Sequence, residues 1–138
     1  MDYTSITDEE FMQSEAYKNF MKENKGEGYL NIRAYAASEA IPISNMKVVV
    51  SSIIDNKRVI FFQGNTDNSG IINKIVLPAP ISSSDNLIKP LSTTYRITAT
   101  YNGNDLNYDV KIYNNIWVTQ SIVIVPEILT RKGNYYGS

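Results

Sequence analysis

The sequence predicts a mainly β fold, an antiparallel β-sandwich led by one N-terminal α-helix, and three observations carry that prediction. Apolar residues recur near every fourth position before Gly26 and at every second position after Gly28. Clusters of Asn, Asp, Gly and Pro then punctuate the chain at intervals of about 8–15 residues, which marks out about seven short strands. With 138 residues, 43% of them apolar and 20% charged, the chain fits a single domain around one core.

The leading helix is expected from Thr7 to about Asn24. Thr7-Asp8-Glu9-Glu10 fits a capping box, in which the Thr7 hydroxyl accepts from the Glu10 N–H and the Glu10 carboxylate reaches back to the N–H of Thr7. Ile6 and Phe11 are spaced as the matching hydrophobic staple. Met12, Ala16 and Phe20, with Tyr17 and Met21 beside them, form one apolar stripe, expected to pack on the protein's own sheet. Lys18, Lys22 and Lys25 fall where cations suit a helix C-terminus, and Gly26 or Gly28 can end it.

From Gly28 the period becomes two. Leu30, Ile32, Ala34 and Ala36 alternate with Tyr29, Asn31, Arg33 and Tyr35, the pattern of a half-buried strand. MKVVVSSII and KRVIFFQG follow as a hairpin turning at Asp55-Asn56. TDNSG (66–70) is a second turn, and IINKIVLPAP begins a strand that is expected to stop at Pro78 and Pro80, which lack a ladder N–H. Residues 81–93 read as a Ser-rich loop. TTYRITATY then places Tyr95, Ile97, Ala99 and Tyr101 on one face. Asn102-Gly103-Asn104-Asp105 turns the chain into LNYDVKIYN, with Tyr108, Val110 and Ile112 inward. Asn114-Asn115 leads into the last strand, WVTQSIVIV. The domain division follows: a helical lead-in over 1–26, the sandwich over 27–127, and a flexible tail over 128–138.

Composition excludes several chemistries. The chain has no histidine and no cysteine, which removes the commonest neutral-pH base, the commonest metal ligand, every thiolate site and every disulfide. A net charge of −1 with scattered basic residues leaves no footprint for nucleic acid. No apolar run reaches the roughly 18 residues of a membrane span. The acidic opening MDYTSITDEEFMQ has no apolar core of a secretory signal, so synthesis is expected in the cytoplasm, with later assembly into a spore or envelope open.

At this point the residues resemble a family. GYLNIRAYAASEAIPISNMKVVV is similar to the opening of the prealbumin-like (transthyretin-like) modules grouped as carboxypeptidase-regulatory-like domains. TDNSG resembles their Thr-Asp-x-x-Gly turn, and a strand ending in Leu-Pro follows in both. LPAP, YRIT and TQSIVIVP look closest to versions in cell-wall proteins of spore-forming Firmicutes, and YKNFMKENKGEGYL resembles the helical lead-in that some of those carry. The likeness spans about residues 17–127. It implies a seven-stranded Greek-key sandwich serving as a structural or adhesive accessory, with no cofactor and no catalysis, although the peptidoglycan-binding or -cleaving domains that often accompany such versions are not found within these 138 residues. A fold supplies no function by itself.

The ending Tyr135-Tyr136-Gly137-Ser138 resembles the Tyr-Arg-Gly-Ser terminus of transthyretin-like 5-hydroxyisourate hydrolases at three positions of four, but those enzymes depend on histidines, and this chain has none. The Lys–Asn isopeptide cross-link of some surface relatives meets Arg33 on the first strand and Gln120, with no asparagine, on the last. Asp67-Asn68-Ser69-Gly70 is too short for a calcium loop and reads as a turn. The acids fall in the helix (Asp8, Glu9, Glu10, Glu15) or in turns (Asp55, Asp67, Asp85, Asp105), which does not favour paired-carboxylate chemistry. That leaves Tyr29, Arg33 and Tyr35 as the candidate binding surface, suited to a sugar ring or a protein partner if exposed; the competing expectation puts them under the helix's Met12, Phe20 and Met21. Trp117 and Phe61 are expected in the core. The uncharged last strand would need a cover or a partner at an edge, so oligomerisation through it is an expectation too. The function expected is that of a spore or cell-envelope accessory module contacting protein or cell-wall glycan. The alternative is a partner-binding subunit of a phage or secretion assembly, with a hydrolase less favoured.

Overall fold

The structure is a computed structural model and describes residues 8–36, 41–81 and 91–125. Among these are two short helices, α1 (Asp8–Met12) and α2 (Glu15–Glu23), and eight strands: β1 (Gly26–Ala36), β2 (Ile41–Pro42), β3 (Lys47–Ile54), β4 (Lys57–Asn65), β5 (Ile71–Ala79), β6 (Thr93–Tyr101), β7 (Asn104–Ile112) and β8 (Trp117–Ile124). The fold is mainly β, in two sheets.

The predicted single helix is split. Ser14 takes an extended backbone (φ −74°, ψ 156°), and its hydroxyl accepts from the Tyr17 N–H at 3.2 Å, so it caps a second helix instead of continuing the first. The break redirects the apolar stripe. Phe11 is buried with Ile54 and Val59, while Met12, expected in the stripe, is exposed. Phe20 reaches Phe61, with ring centroids 5.5 Å apart. Thr7 and Ile6, the expected cap and staple, lie outside the described residues.

Strand β1 is the hub of the first sheet. Its even residues bond to β5 on one side in antiparallel register; its odd residues face β8 on the other, in parallel register from Tyr29↔Trp117 to Ala36↔Ile124. The expectation of an all-antiparallel fold is corrected by that pair. The extra strand beyond the seven expected is the two-residue β2, which extends the β5 side of β1. Ala34 donates to Gly70 and accepts from Ile43, so the turn before β5 and the end of β2 share one backbone edge. The second sheet has the order β4-β3-β6-β7, antiparallel throughout.

Between the sheets lies one core: Leu30, Ile32 and Ala34 from β1, Ile75 and Leu77 from β5, and Ile122 and Ile124 from β8 face Val48 and Val50 from β3, Tyr95, Ile97 and Ala99 from β6, and Val110 and Ile112 from β7. Each fully buried aliphatic side chain of this kind contributes about 1.5–3 kcal/mol. The alternation read from the sequence is therefore the alternation of burial, most cleanly in β1. Trp117 and Phe61 depart from it. Phe61 is only half-buried, and Trp117 lies outside altogether, 54% exposed.

Turn chemistry sets the registers. Asp55 and Asn56 both take positive φ (54° and 64°), as do Asn102 and Gly103 (51° and 80°), the geometry of two-residue hairpins whose twist matches the strands. In TDNSG the Asp67 carboxylate accepts from the N–H groups of Ser69 and Ile71, both at 2.9 Å, and Gly70 turns at φ 76°. A Cβ on Gly70 would meet the Ala34 carbonyl at 2.3 Å.

The strand expected to stop at Pro78 continues to Ala79. It can, because β5 is an edge and an edge proline removes no ladder bond. The Pro78 carbonyl instead accepts from the buried Tyr95 hydroxyl at 2.6 Å, a link from one sheet to the other. The lead-in proposed over 1–26 gives way to strand at Gly26. The loop centre at 82–90 and the tail from 126 lie outside the described residues.

Candidate binding surface

Because Leu30, Ile32 and Ala34 point inward, Tyr29, Asn31, Arg33 and Tyr35 must face outward, and the first sheet's outer side is built on them. The helices do not lie over this row. They pack on Ile54, Val59 and Phe61 at the β3–β4 hairpin, so the expected cover of Tyr29, Arg33 and Tyr35 is absent among the described residues. Only the end of α2 comes near: Met21, Asn24 and Lys25 share a cleft of about 350 Å³ with Val76 and Pro78.

Parallel register sets Trp117 beside Tyr29, and antiparallel register sets Val76 on its other side. The three form one row across β8, β1 and β5. The Tyr29 and Trp117 rings stack with centroids 4.8 Å apart and planes 29° from parallel. Val76 and Ile116 flank them, each more than two-fifths exposed. A bulge lies beside the row: Lys74 takes φ 53°, its N–H donates to the Asn31 side-chain oxygen at 2.8 Å, and its ammonium stands 5.9 Å from the Tyr29 ring centre. The bulge thus brings a cation to the rim of an apolar platform.

Arg33 and Tyr35 form a separate group. The Arg33 guanidinium lies over the Tyr35 ring at 4.8 Å, next to a hollow of about 190 Å³ that they share with Pro42 and Ser69. Four residues of strand put Arg33 about 13 Å from Tyr29. The three residues read from the sequence therefore share a face but split between two places, and the residue that completes the larger one is Trp117, which the sequence pattern predicts in the core. Sequence parity alone could have placed it outside: Ile122 and Ile124 inward imply Trp117, Thr119 and Ser121 outward. The signal is weak because Val123, on the same outward parity, is also apolar.

The opposite face of the molecule is polar. Along β6 and β7, Thr98 donates to Asn107 at 2.7 Å and Thr100 to Asp105 at 2.9 Å, and Arg96 pairs with Asp109 at 3.4 Å. Beside them a cleft of about 520 Å³ runs under the end of α2, with Glu23, Arg58, Arg96 and Asp109 on its walls. Asn24 closes one end of it, bonded to the Phe20 carbonyl and to Thr93. Among the described residues no three carboxylate, histidine or cysteine side chains gather as a metal site, and no helix is long and apolar enough to cross a membrane. Tyr95 has a phenol held well above its usual range, first by burial and then by the nearby Tyr17; its fully buried side chain lies at the floor of the larger cleft.

No protein-family model matches this chain, and a search of the curated proteins finds no match.

Proposed function

We propose that this chain is a non-catalytic accessory module that works by contact, through the outer face of the first sheet around Tyr29 and Trp117. The observation that carries the reading is the stacked, solvent-facing pair. Leaving an indole more than half in water forgoes burial energy that the same side chain would gain in a core, and a rigid aromatic platform is what a contact surface uses. The C–H face of a sugar ring is flat and apolar with hydroxyls at its rim. It matches a platform of Tyr29, Trp117 and Val76 rimmed by Lys74, Asn31 and Thr119. We therefore favour glycan as the ligand. The cell-envelope setting, the seven-stranded prealbumin-like topology and the identity of the glycan as cell wall rest on the sequence resemblance alone. The second reading, a partner-binding subunit of a larger assembly, is favoured by the edge of β8 that no strand among the described residues pairs with.

The test is co-sedimentation with purified peptidoglycan sacculi across a salt series. Pelleting should survive added salt, because stacking is not screened as charge pairing is. It should fall at least tenfold in a Tyr29→Ala/Trp117→Ala variant whose Tm is unchanged, and less in Tyr35→Ala. A wild-type chain that stays in the supernatant would remove the glycan reading.

A further inference from the structure

We infer that β8 is the dimerisation strand of this protein and that it pairs antiparallel with β8 of a second copy, about a two-fold axis at Gln120. This does not rest on the glycan reading. Among the described residues five strands lie at sheet edges; β2 is only two residues long, and three others carry devices that discourage pairing. The β4 edge has Lys57, Arg58 and a bulge at Phe61. The β5 edge has the Lys74 bulge and Pro78, and β7 has Asp105, Asp109 and Lys111. Strand β8 has none: from Ile116 to Val125 there is no charge and no proline, and its register with β1 runs without a shift. Among the described residues no strand pairs with its other edge.

The direction of the free groups follows from one hydrogen bond. The Ile116 carbonyl accepts from the Tyr29 N–H at 3.0 Å, so by alternation the backbone groups of Val118, Gln120, Ile122 and Ile124 face β1. Those of Trp117, Thr119, Ser121 and Val123 face away from it. One of them is already occupied from within, since the Gln120 side-chain amide donates to the Ser121 carbonyl at 3.0 Å and caps part of the bare edge.

A second copy is the occupant because the strand is chemically palindromic. Trp117-Val118-Thr119-Gln120-Ser121-Ile122-Val123 reads apolar, apolar, polar, polar, polar, apolar, apolar from either end. Antiparallel pairing about Gln120 sets Thr119 opposite Ser121, and Trp117 opposite Val123, of the second copy. These are the residues with free backbone groups, so each such pair can exchange both N–H···O bonds. On the inner face Val118 meets Ile122, and the two Gln120 amides meet at the axis. There each can bond the other once the second copy's Thr119 N–H takes over the Ser121 carbonyl. A shift of two residues in the pairing breaks this matching and puts Thr119 or Ser121 against an apolar partner. The interface is isologous, as closed dimers require. A pairing confined to one eight-residue edge is small beside the roughly 1,600 Å² of a standard stable interface, so the dimer is concentration-dependent.

The experiment is sedimentation equilibrium of the full chain over a wide concentration range, with charge exchange at the axis. The wild type should show a monomer–dimer equilibrium. Gln120→Glu and Gln120→Lys should each be monomeric, since like charges would face each other, and an equimolar mixture of the two should dimerise again. Recovery in the mixture also shows that both variants are folded. Thr119→Pro removes only an edge-facing N–H, leaves the β1 ladder intact and should weaken dimerisation at least tenfold. A wild type that stays monomeric up to about 1 mM, where even millimolar affinity would show, overturns the inference. So does a Gln120→Glu variant that dimerises like wild type, or a mixture that fails to associate.

Discussion

Replacing Tyr95 by Phe removes one oxygen from the centre of the molecule and leaves the packing shape almost untouched. The Tyr95 ring is fully buried, edge-on to Phe61 at 5.4 Å, and its hydroxyl donates to the Pro78 carbonyl across the gap between the sheets. The lost hydrogen bond is worth about 1 kcal/mol net, and the stranded carbonyl adds a desolvation term of about 1 kcal/mol at the low end, because Pro78 is only half-buried. Tyr95→Phe should therefore cost about 1–2 kcal/mol, a fall in Tm of about 3–7 °C for a chain of this length. Urea unfolding followed by circular dichroism should show the midpoint moving with an unchanged slope. The pH dependence adds a second constraint. Burial, and then Tyr17, raise the Tyr95 phenol above its unfolded value. Its contribution is therefore fully present below about pH 10 and is lost as pH rises beyond, at up to about 1.4 kcal/mol per unit. The Phe variant lacks this term, so its stability should fall less steeply above pH 10 and the gap to wild type should narrow. A variant as stable as wild type, with the same alkaline slope, would refute the cross-sheet bond.

Other expectations follow from particular contacts. Gly28→Ala would place a methyl 2.4 Å from Ile112 and 2.5 Å from the Tyr113 carbonyl; the backbone oxygen cannot yield, so a loss of about 3 kcal/mol is expected in the same unfolding assay. Asp67→Ala should cost about 1–2 kcal/mol, while Asp67→Asn should be nearly neutral, since an amide oxygen can still accept from Ser69 and Ile71. Equal losses in the two variants would show that charge, and not the acceptor, holds the turn. Trp117→Ala alone should leave Tm within about 2 °C of wild type, because an exposed side chain contributes little to folding, and yet abolish retention on sacculi.

The sequence by itself determined the local layer of this protein. Strand alternation at Leu30–Ala36 and Tyr95–Ala99, and the turns at Asp55-Asn56, Asp67–Gly70 and Asn102-Gly103, depend on side-chain period and backbone freedom within a few residues, so they are legible one segment at a time. It also placed Tyr29, Arg33 and Tyr35 together on the outward side of one strand. What it left open depends on partners far along the chain. Tyr29 could not show whether its neighbour would be the helix or a strand 88 positions later, and only the parallel register of β1 with β8 brought Trp117 beside it. The break at Ser14 was hidden because a serine that caps one helix and a serine inside another look alike until the apolar stripe on either side finds its surface. Pro78 could stay in its strand only because β5 turned out to be an edge. Period and propensity are local quantities; strand order, register and edge position are set by which faces bury one another, and the platform and the open edge of β8 exist only at that level.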